Sequence, residues 1–245
     1  MSPTGTIPLA FESFREHLDE HYDRRERLIK ASRDITAASK KIIFLIHRVL
    51  NEASGDDRAL SLRAAEARRR LAEVRLIMEN VAHELDGARF WRYAQNISGG
   101  LQEYIEAFSF FHYVECGGLV SYEQVQANLS DGAGQPLFPV PLSDYALGIS
   151  DFTGELMRLA ITSMSKPNGR TRATQISEFV RGCKADLETL TPHIHDLYKK
   201  QVVTTQSLRK IEEAAYAIAI RSSEYELSPW MLDHIVSQVS EDKES

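Results

Sequence analysis

Residues 25–49 read RERLIKASRDITAASKKIIFLIHRV, a run without glycine or proline. Apolar side chains recur at Leu28, Ala31, Ile35, Ala38, Ile42, Leu45, Ile46 and Val49. These steps of three and four put them on one stripe of an α-helix, and no period-two alternation competes with that reading. The breaker-free stretch extends in both directions, from residue 9 to about 51, so the spacing predicts a single helix of some forty residues. At 1.5 Å per residue it would be about 60 Å long, more than the diameter of a compact domain of this length. A rod of that length hides its apolar stripe only if other long helices lie against it.

The rest of the chain supplies those helices. Helical spacing covers 59–85 and 89–115, with Gly87 and the pair Gly117 and Gly118 as stop signals. Ser121 and Gln124 have the spacing of a capping box opening a short helix to residue 129. DGAGQPLFPVP, residues 131–141, is a loop by its glycines and prolines. Helices follow at 143–164 and 174–190, separated by a turn over SKPNGRTR, and then at 192–201, 204–221 and 230–239. No segment reads as a strand. The fold expected is all-α: one domain over 1–245 with short flexible termini, built of long antiparallel helices joined by short loops.

Composition narrows the function classes. With 43% hydrophobic and 26% charged residues the chain can bury a sizeable core. A net charge of −6 argues against a protein that coats nucleic acid indiscriminately, but it permits a local basic groove. Cys116 and Cys183 stand far apart with no CxxC, which suits reduced thiols in a cytosolic or nuclear compartment. Neither a signal peptide nor a membrane span is expected, since no apolar run approaches about 18 residues. GxSxG, P-loop and HExxH patterns are absent, so no nucleotide cofactor is expected. No Glu has a His three residues later, which removes the usual di-iron bundle.

Two acid pairs carry the chemistry. In LQEYIEAFSFF, 101–111, Leu101, Tyr104, Ile105 and Phe108 share one helix face, with Glu103 and Glu106 on the other. Phe110 and Val114 continue the glutamate side, so the supposedly wet face is apolar too. Carboxylates in such surroundings are costly unless paired, protonated or bound to a cation. In DYALGISDFTGELMRLAITS, 144–163, Tyr145, Ile149, Phe152, Leu156, Leu159 and Ser163 form one face, while Asp151 and Glu155 align on another. Four carboxylates on facing helices could converge on a hard divalent cation such as Mg²⁺. The plainer reading is a surface ion pair, for which Arg158 is well spaced from Glu155.

Four blocks, RERLIKASRDITAASKKIIFLIHRV (25–49), GLQEYIEAFSFFHY (100–113), LGISDFTGELMRLAITS (147–163) and SLRKIEEAAYAIAIRSSE (207–224), resemble the translin superfamily, in particular its translin-associated factor X (TRAX) branch. The resemblance implies a seven-helix translin-type bundle with a very long N-terminal helix. It implies assembly with translin into a hollow RNA-binding hetero-oligomer whose TRAX subunit is a Mg²⁺-dependent endoribonuclease, with Mn²⁺ as the alternative to Mg²⁺. The substrate would be single-stranded or nicked RNA, as in passenger-strand removal during RNA interference and in processing of pre-tRNA fragments. The catalytic and metal-binding acids would fall on Glu103, Glu106, Asp151 and Glu155. Arg89, Trp91 and Arg92, in ARFWRYAQN, align with a basic stretch the family uses for RNA. The location implied is cytoplasmic, with the nucleus as a second compartment. The alternative function is a non-catalytic scaffold that stabilises translin and other partners.

Other groups read as structural. EARRRLAEVR, 66–75, is expected to be a salt-bridged outer face, because Glu66 and Glu73 interleave the arginines. His17 and His21 read as a solvated pair. The C-terminal series Leu208, Ile211, Ala215, Ile218 and Ala219 suits core or interface, with Tyr225, Leu227, Trp230 and Met231 as a second apolar cluster.

Overall fold

The computed structural model describes residues 6–52, 57–164, 166, 168–224, 230 and 231. Among these, seven α-helices follow one another: α1 Thr6–Glu52, α2 Asp57–Ala82, α3 Arg89–Cys116, α4 Tyr122–Asn128, α5 Leu142–Ser163, α6 Gly169–Leu190 and α7 Leu197–Glu224. The 47 residues of α1 span about 70 Å. Leu28, Ile35, Ile42 and Ile46 from its stripe are all buried, against α2 on one side and α3 on the other. No described helix is long and apolar enough to cross a membrane.

Local signals set the helix ends. α3 stops at Gly117, whose left-handed backbone (φ 74°) lets its N–H donate to the Tyr113 carbonyl at 2.8 Å. The capping box of α4 is complete: Gln124 N–H donates to Ser121 Oγ (3.2 Å), and Ser121 N–H donates to Gln124 Oε1 (2.7 Å). The loop at 131–141 lies where the sequence puts it, closed by a bridge between Ser130 and Pro136.

Three expectations about the helices need correction. The first concerns direction. The contacts His21 with Tyr93, Gly100 with Ser32 and His47 with Phe110 climb together along α1 and α3. Ser98 with Asp144 and Phe110 with Phe152 do the same along α3 and α5. The three central helices are therefore parallel, and the chain returns between them through α2 and through α4 with its loop. The second is that α6 begins at Gly169, directly after Asn168, whose left-handed backbone (φ 59°) completes the turn. The third is that no break separates 192–201 from 204–221. The β-branched run VVTT has modest helix propensity, and the Thr204 and Thr205 hydroxyls bond back to the carbonyls of Lys200 (3.0 Å) and Gln201 (2.8 Å) without adding to it. But Gln201, Thr204 and Leu208 are buried. Tertiary packing overrides the weak local preference.

Leu208, Ile211 and Ile218 are core, whereas Ala219 is exposed. Trp230 and Met231 are exposed, and the remainder of the expected 230–239 helix, with Tyr225 and Leu227, lies outside the described residues. The arginine run of α2 is the expected ion-paired face: Glu66 binds Arg69 (2.9 Å) and Arg70 (2.7 Å), and Arg68 reaches Glu115 on α3. His21 is not solvated; its Nδ1 bonds the Tyr93 hydroxyl at 2.6 Å and ties α1 to α3. At the far end of α1, the Lys166 ammonium donates to the carbonyls of Leu50 (3.2 Å) and Asn51 (3.1 Å), where a cation also suits the helix dipole.

Candidate active site

Small residues allow the three parallel helices to approach closely. A Cβ at Gly148 would lie 2.8 Å from Ile105 Cβ and 2.9 Å from the Gln102 carbonyl oxygen, so only glycine lets α5 lie this close to α3. Gly100 plays the same part against α1: a Cβ there would lie 2.7 Å from the Ser32 carbonyl, and its own N–H donates to Ser32 Oγ at 3.0 Å. Buried Asp144 accepts hydrogen bonds from Ser98 Oγ (2.6 Å) and Gln102 Nε2 (2.8 Å), and burial raises its carboxyl pKa. The helices carrying the two acid pairs are thus pinned next to the acids themselves.

Glu103 and Glu106 of α3 and Asp151 and Glu155 of α5 line one cleft of about 570 Å³. Lys40, Ile43 and Phe44 of α1 and Arg158 of α5 complete its walls. Glu106 is 8% exposed and has no hydrogen-bond or ion-pair partner among the described residues. Its carboxyl is pushed up to about 8, first by burial and then by the charges of Asp151, Glu103 and Glu155, with Lys200 opposing them.

The other three acids are each met by a cation or a histidine. Lys40 binds Glu103 at 3.1 Å, Lys200 binds Asp151, and His47 Nε2 donates to Glu155, which Arg158 also approaches at 3.8 Å. With those partners engaged, no three His, Cys, Asp or Glu side chains among the described residues converge to hold a metal ion. The donor set nevertheless fits a hard divalent cation in kind: its acids offer only oxygen ligands, and one is a buried carboxyl without a partner.

The structure therefore brings all four predicted acids into one cleft and places the predicted RNA-contacting residues elsewhere. Arg89, Trp91 and Arg92 occupy the start of α3. Arg89 lies 3.8 Å from Asp86, the Arg92 guanidinium is 5.7 Å from the Tyr93 ring, and Trp91 is 79% exposed. Arg89 and Glu103 are separated by about 21 Å along the helix axis. Arg92 and Glu103 are about three turns apart and share a face of α3.

Three residues that line the cleft or bond its acids escape the sequence reading. His47 is buried, its ring centre 4.8 Å from that of Phe110; the trace it leaves is a polar residue interrupting the apolar run IIFLIHRV. Phe44 is 62% exposed although it sits in that same run. Lys200 leaves no local trace, because its bond to Asp151 depends on where α7 packs.

The translin family profile matches residues 23–222. Translin-associated protein X of Rattus norvegicus is 35% identical, over 91% of this chain and 82% of its own. The Translin-associated protein X homolog of Schizosaccharomyces pombe is 30% identical, over 87% and 89%. Translin of Homo sapiens is 23% identical, over 86% and 92%. Among solved structures, apo-NeC3PO superposes with a TM-score of 0.65 at 20% identity, covering 87% of this chain and 96% of that one. AfC3PO in complex with duplex RNA gives 0.62 at 20%, covering 89% and 100%. Seven helices in this arrangement and a profile match over most of the chain agree: this protein belongs to the translin family, with the sequence character of translin-associated protein X.

Proposed function

We propose that this chain is the catalytic subunit of a translin-type RNA-processing hetero-oligomer and cleaves single-stranded or nicked RNA in a Mg²⁺-dependent reaction. One observation carries the reading: four carboxylates from two helices line a single cleft, and one of them is buried without a partner. Burying Glu106 opposes folding, and a structural role explains neither its position nor its isolation. Glu103, Glu106, Asp151 and Glu155 would hold the ion, which when bound supplies Lewis acidity toward a phosphoryl oxygen and an acidified water.

The chain's own residues do the rest. His47 holds Glu155 in place from below, and Asp144 with Gly148 sets the α3–α5 spacing. Phe44 offers an exposed ring at the cleft, on which an unpaired base can stack. Lys40 and Arg158 provide positive charge beside the acids for the strand's phosphates. Phe11, Phe14, Leu18 and Tyr22 form an exposed apolar stripe along the first part of α1, which supports burial against a partner subunit such as translin.

A specific observation favours the second reading, a non-catalytic scaffold: three of the four acids already have partners, as a structural ion-pair network would. Cleavage of end-labelled single-stranded RNA separates the two. The chain, alone and co-purified with translin, is assayed with Mg²⁺, with Mn²⁺ and with a chelator, alongside Glu106→Gln and Asp151→Asn. The nuclease reading requires metal-dependent cleavage by wild type and its loss in both variants with RNA binding retained. Full activity in either variant refutes the assignment, and no cleavage under any condition leaves the scaffold.

A further inference from the structure

A second, smaller groove of about 260 Å³ runs between α5 and α7, lined among others by Ser150, Asp151 and Gly154 on one side and Lys199, Lys200 and Val203 on the other. Asp151 lines both this groove and the acid cleft, so the two adjoin at that side chain. Their electrostatic characters differ. The acid cleft has four carboxylates against Lys40 and Arg158, whereas this groove has two ammonium groups against Asp151 alone. The supply of positive charge continues along α7: residues 197–210, LYKKQVVTTQSLRK, contain Lys199, Lys200, Arg209 and Lys210 and no acid.

The groove is also built to admit a ligand. Nothing lies within 4 Å of where a Cβ would stand at Gly154, so the α5 backbone is open there. The Ser150 hydroxyl is buried without a hydrogen-bond partner, an unused polar group beside the lysines. Lys200 is partly buried and already bonded to Asp151, which fixes its ammonium at the boundary between groove and cleft. Lys199 is exposed, with only a loose 3.7 Å contact to Asp196.

We propose that the α5–α7 groove is the subsite for a backbone phosphodiester next to the scissile one, with Lys199 and Lys200 as its phosphate contacts. This deepens the nuclease reading and rests on it for the identity of the strand. Chemically the subsite reads phosphate charge and no base, so it fixes the position of the strand without selecting sequence. A strand entering here passes Asp151 and presents its next phosphodiester to the four acids.

The test is binding of a fluorescent single-stranded RNA in chelator, measured for the full-length chain in the assembly it purifies with, as a function of KCl. Each single-strand phosphate contact contributes about 0.7 to the slope of log affinity against log salt. Lys199→Gln, which leaves the Lys200–Asp151 pair intact, is expected to lower that slope by about 0.7, and the double variant Lys199→Gln/Lys200→Gln by about 1.4. Lys184→Gln, on α6 and paired to Glu188, controls for lost charge alone and should leave the slope unchanged. Thermal melts confirm that each variant folds.

An unchanged slope in both groove variants overturns the proposal, and wild-type cleavage in the same preparation would show that the nuclease reading survives it. A reduced slope in a protein that never cleaves keeps the groove as an RNA contact and removes its place beside a scissile bond. Equal loss in the Lys184 variant also overturns the subsite, since the effect is then net charge.

Discussion

Replacing Gly148 by alanine is the sharpest test of how the site is assembled. Two opposite effects compete. Alanine favours a helix over glycine by about 1 kcal/mol, so at an unobstructed helical position the change stabilises. At 148 the new methyl would sit 2.8 Å from Ile105 Cβ and 2.9 Å from the Gln102 carbonyl oxygen, where carbon contacts normally settle near 3.5–4.0 Å. Neither neighbour can rotate away, since one is a Cβ and the other belongs to the helix backbone. α3 and α5 must move apart by roughly 1 Å, and overpacking of this kind costs about 1–3 kcal/mol. The clash therefore outweighs the propensity gain or at least cancels it. Gly99, on the same face-to-face helix pair's α3 but with nothing within 4 Å of its would-be Cβ, is the internal reference.

Denaturant or thermal melts of the two variants should differ by the clash alone, about 1–3 kcal/mol, with Gly99→Ala the more stable. For a chain of this length that separation corresponds to roughly 2–12 °C in Tm. The same displacement spreads the acids of α3 from those of α5, so RNA cleavage should fall by as much as about 100-fold while Gly99→Ala stays near wild type. Equal stability of the two variants would mean that the α3–α5 crossing is not held by the absent side chain, and the account of how the acids meet would fail with it.

The remaining predictions concern charge. Glu106 has its carboxyl raised from 4.5 to about 8, so its contribution opposes folding: it is absent below pH 4.5, grows between the two values and is complete above pH 8. Glu106→Gln should therefore stabilise the protein at pH 9 by a few kcal/mol, at about 1.4 kcal/mol per pH unit, and by almost nothing at pH 4; a pH-independent difference in urea melts would contradict this. Buried Glu84 is the reverse case, held below the usual range by hydrogen bonding to Arg27 (2.5 Å), with Arg24 also adjacent at 2.8 Å. Its stabilisation is present above the unfolded carboxylate range and is lost as pH falls through the lowered folded value, so Glu84→Gln should destabilise at pH 7 and lose its effect in acid melts. His47→Ala removes the group that holds Glu155; by analogy with residues supporting metal ligands it should cost about 10–100-fold in cleavage, seen as a raised Mg²⁺ requirement. Unchanged Mg²⁺ dependence would leave His47 a packing residue only.

Much of the molecule is legible in the sequence because helices are local. The stripe from Leu28 to Val49, the glycine stop at 117 and the Ser121 capping box depend on neighbours three or four residues away, and each lies where its spacing puts it. The acid pairs are legible for the same reason: i, i+3 and i, i+4 carboxylates share a helix face wherever the helix goes. What the helices do to one another is not encoded at that range. That α1, α3 and α5 run parallel, that Gly148 rather than Gly99 lies at a crossing, and that Glu106 lacks a partner while Glu103, Asp151 and Glu155 find Lys40, Lys200 and His47 are all decided by contacts between residues tens to more than a hundred positions apart. Backbone hydrogen bonding and side-chain periodicity determine a helix from within, whereas the charge state of a carboxylate depends on every group that packing brings near it, and only the assembled tertiary structure determines that.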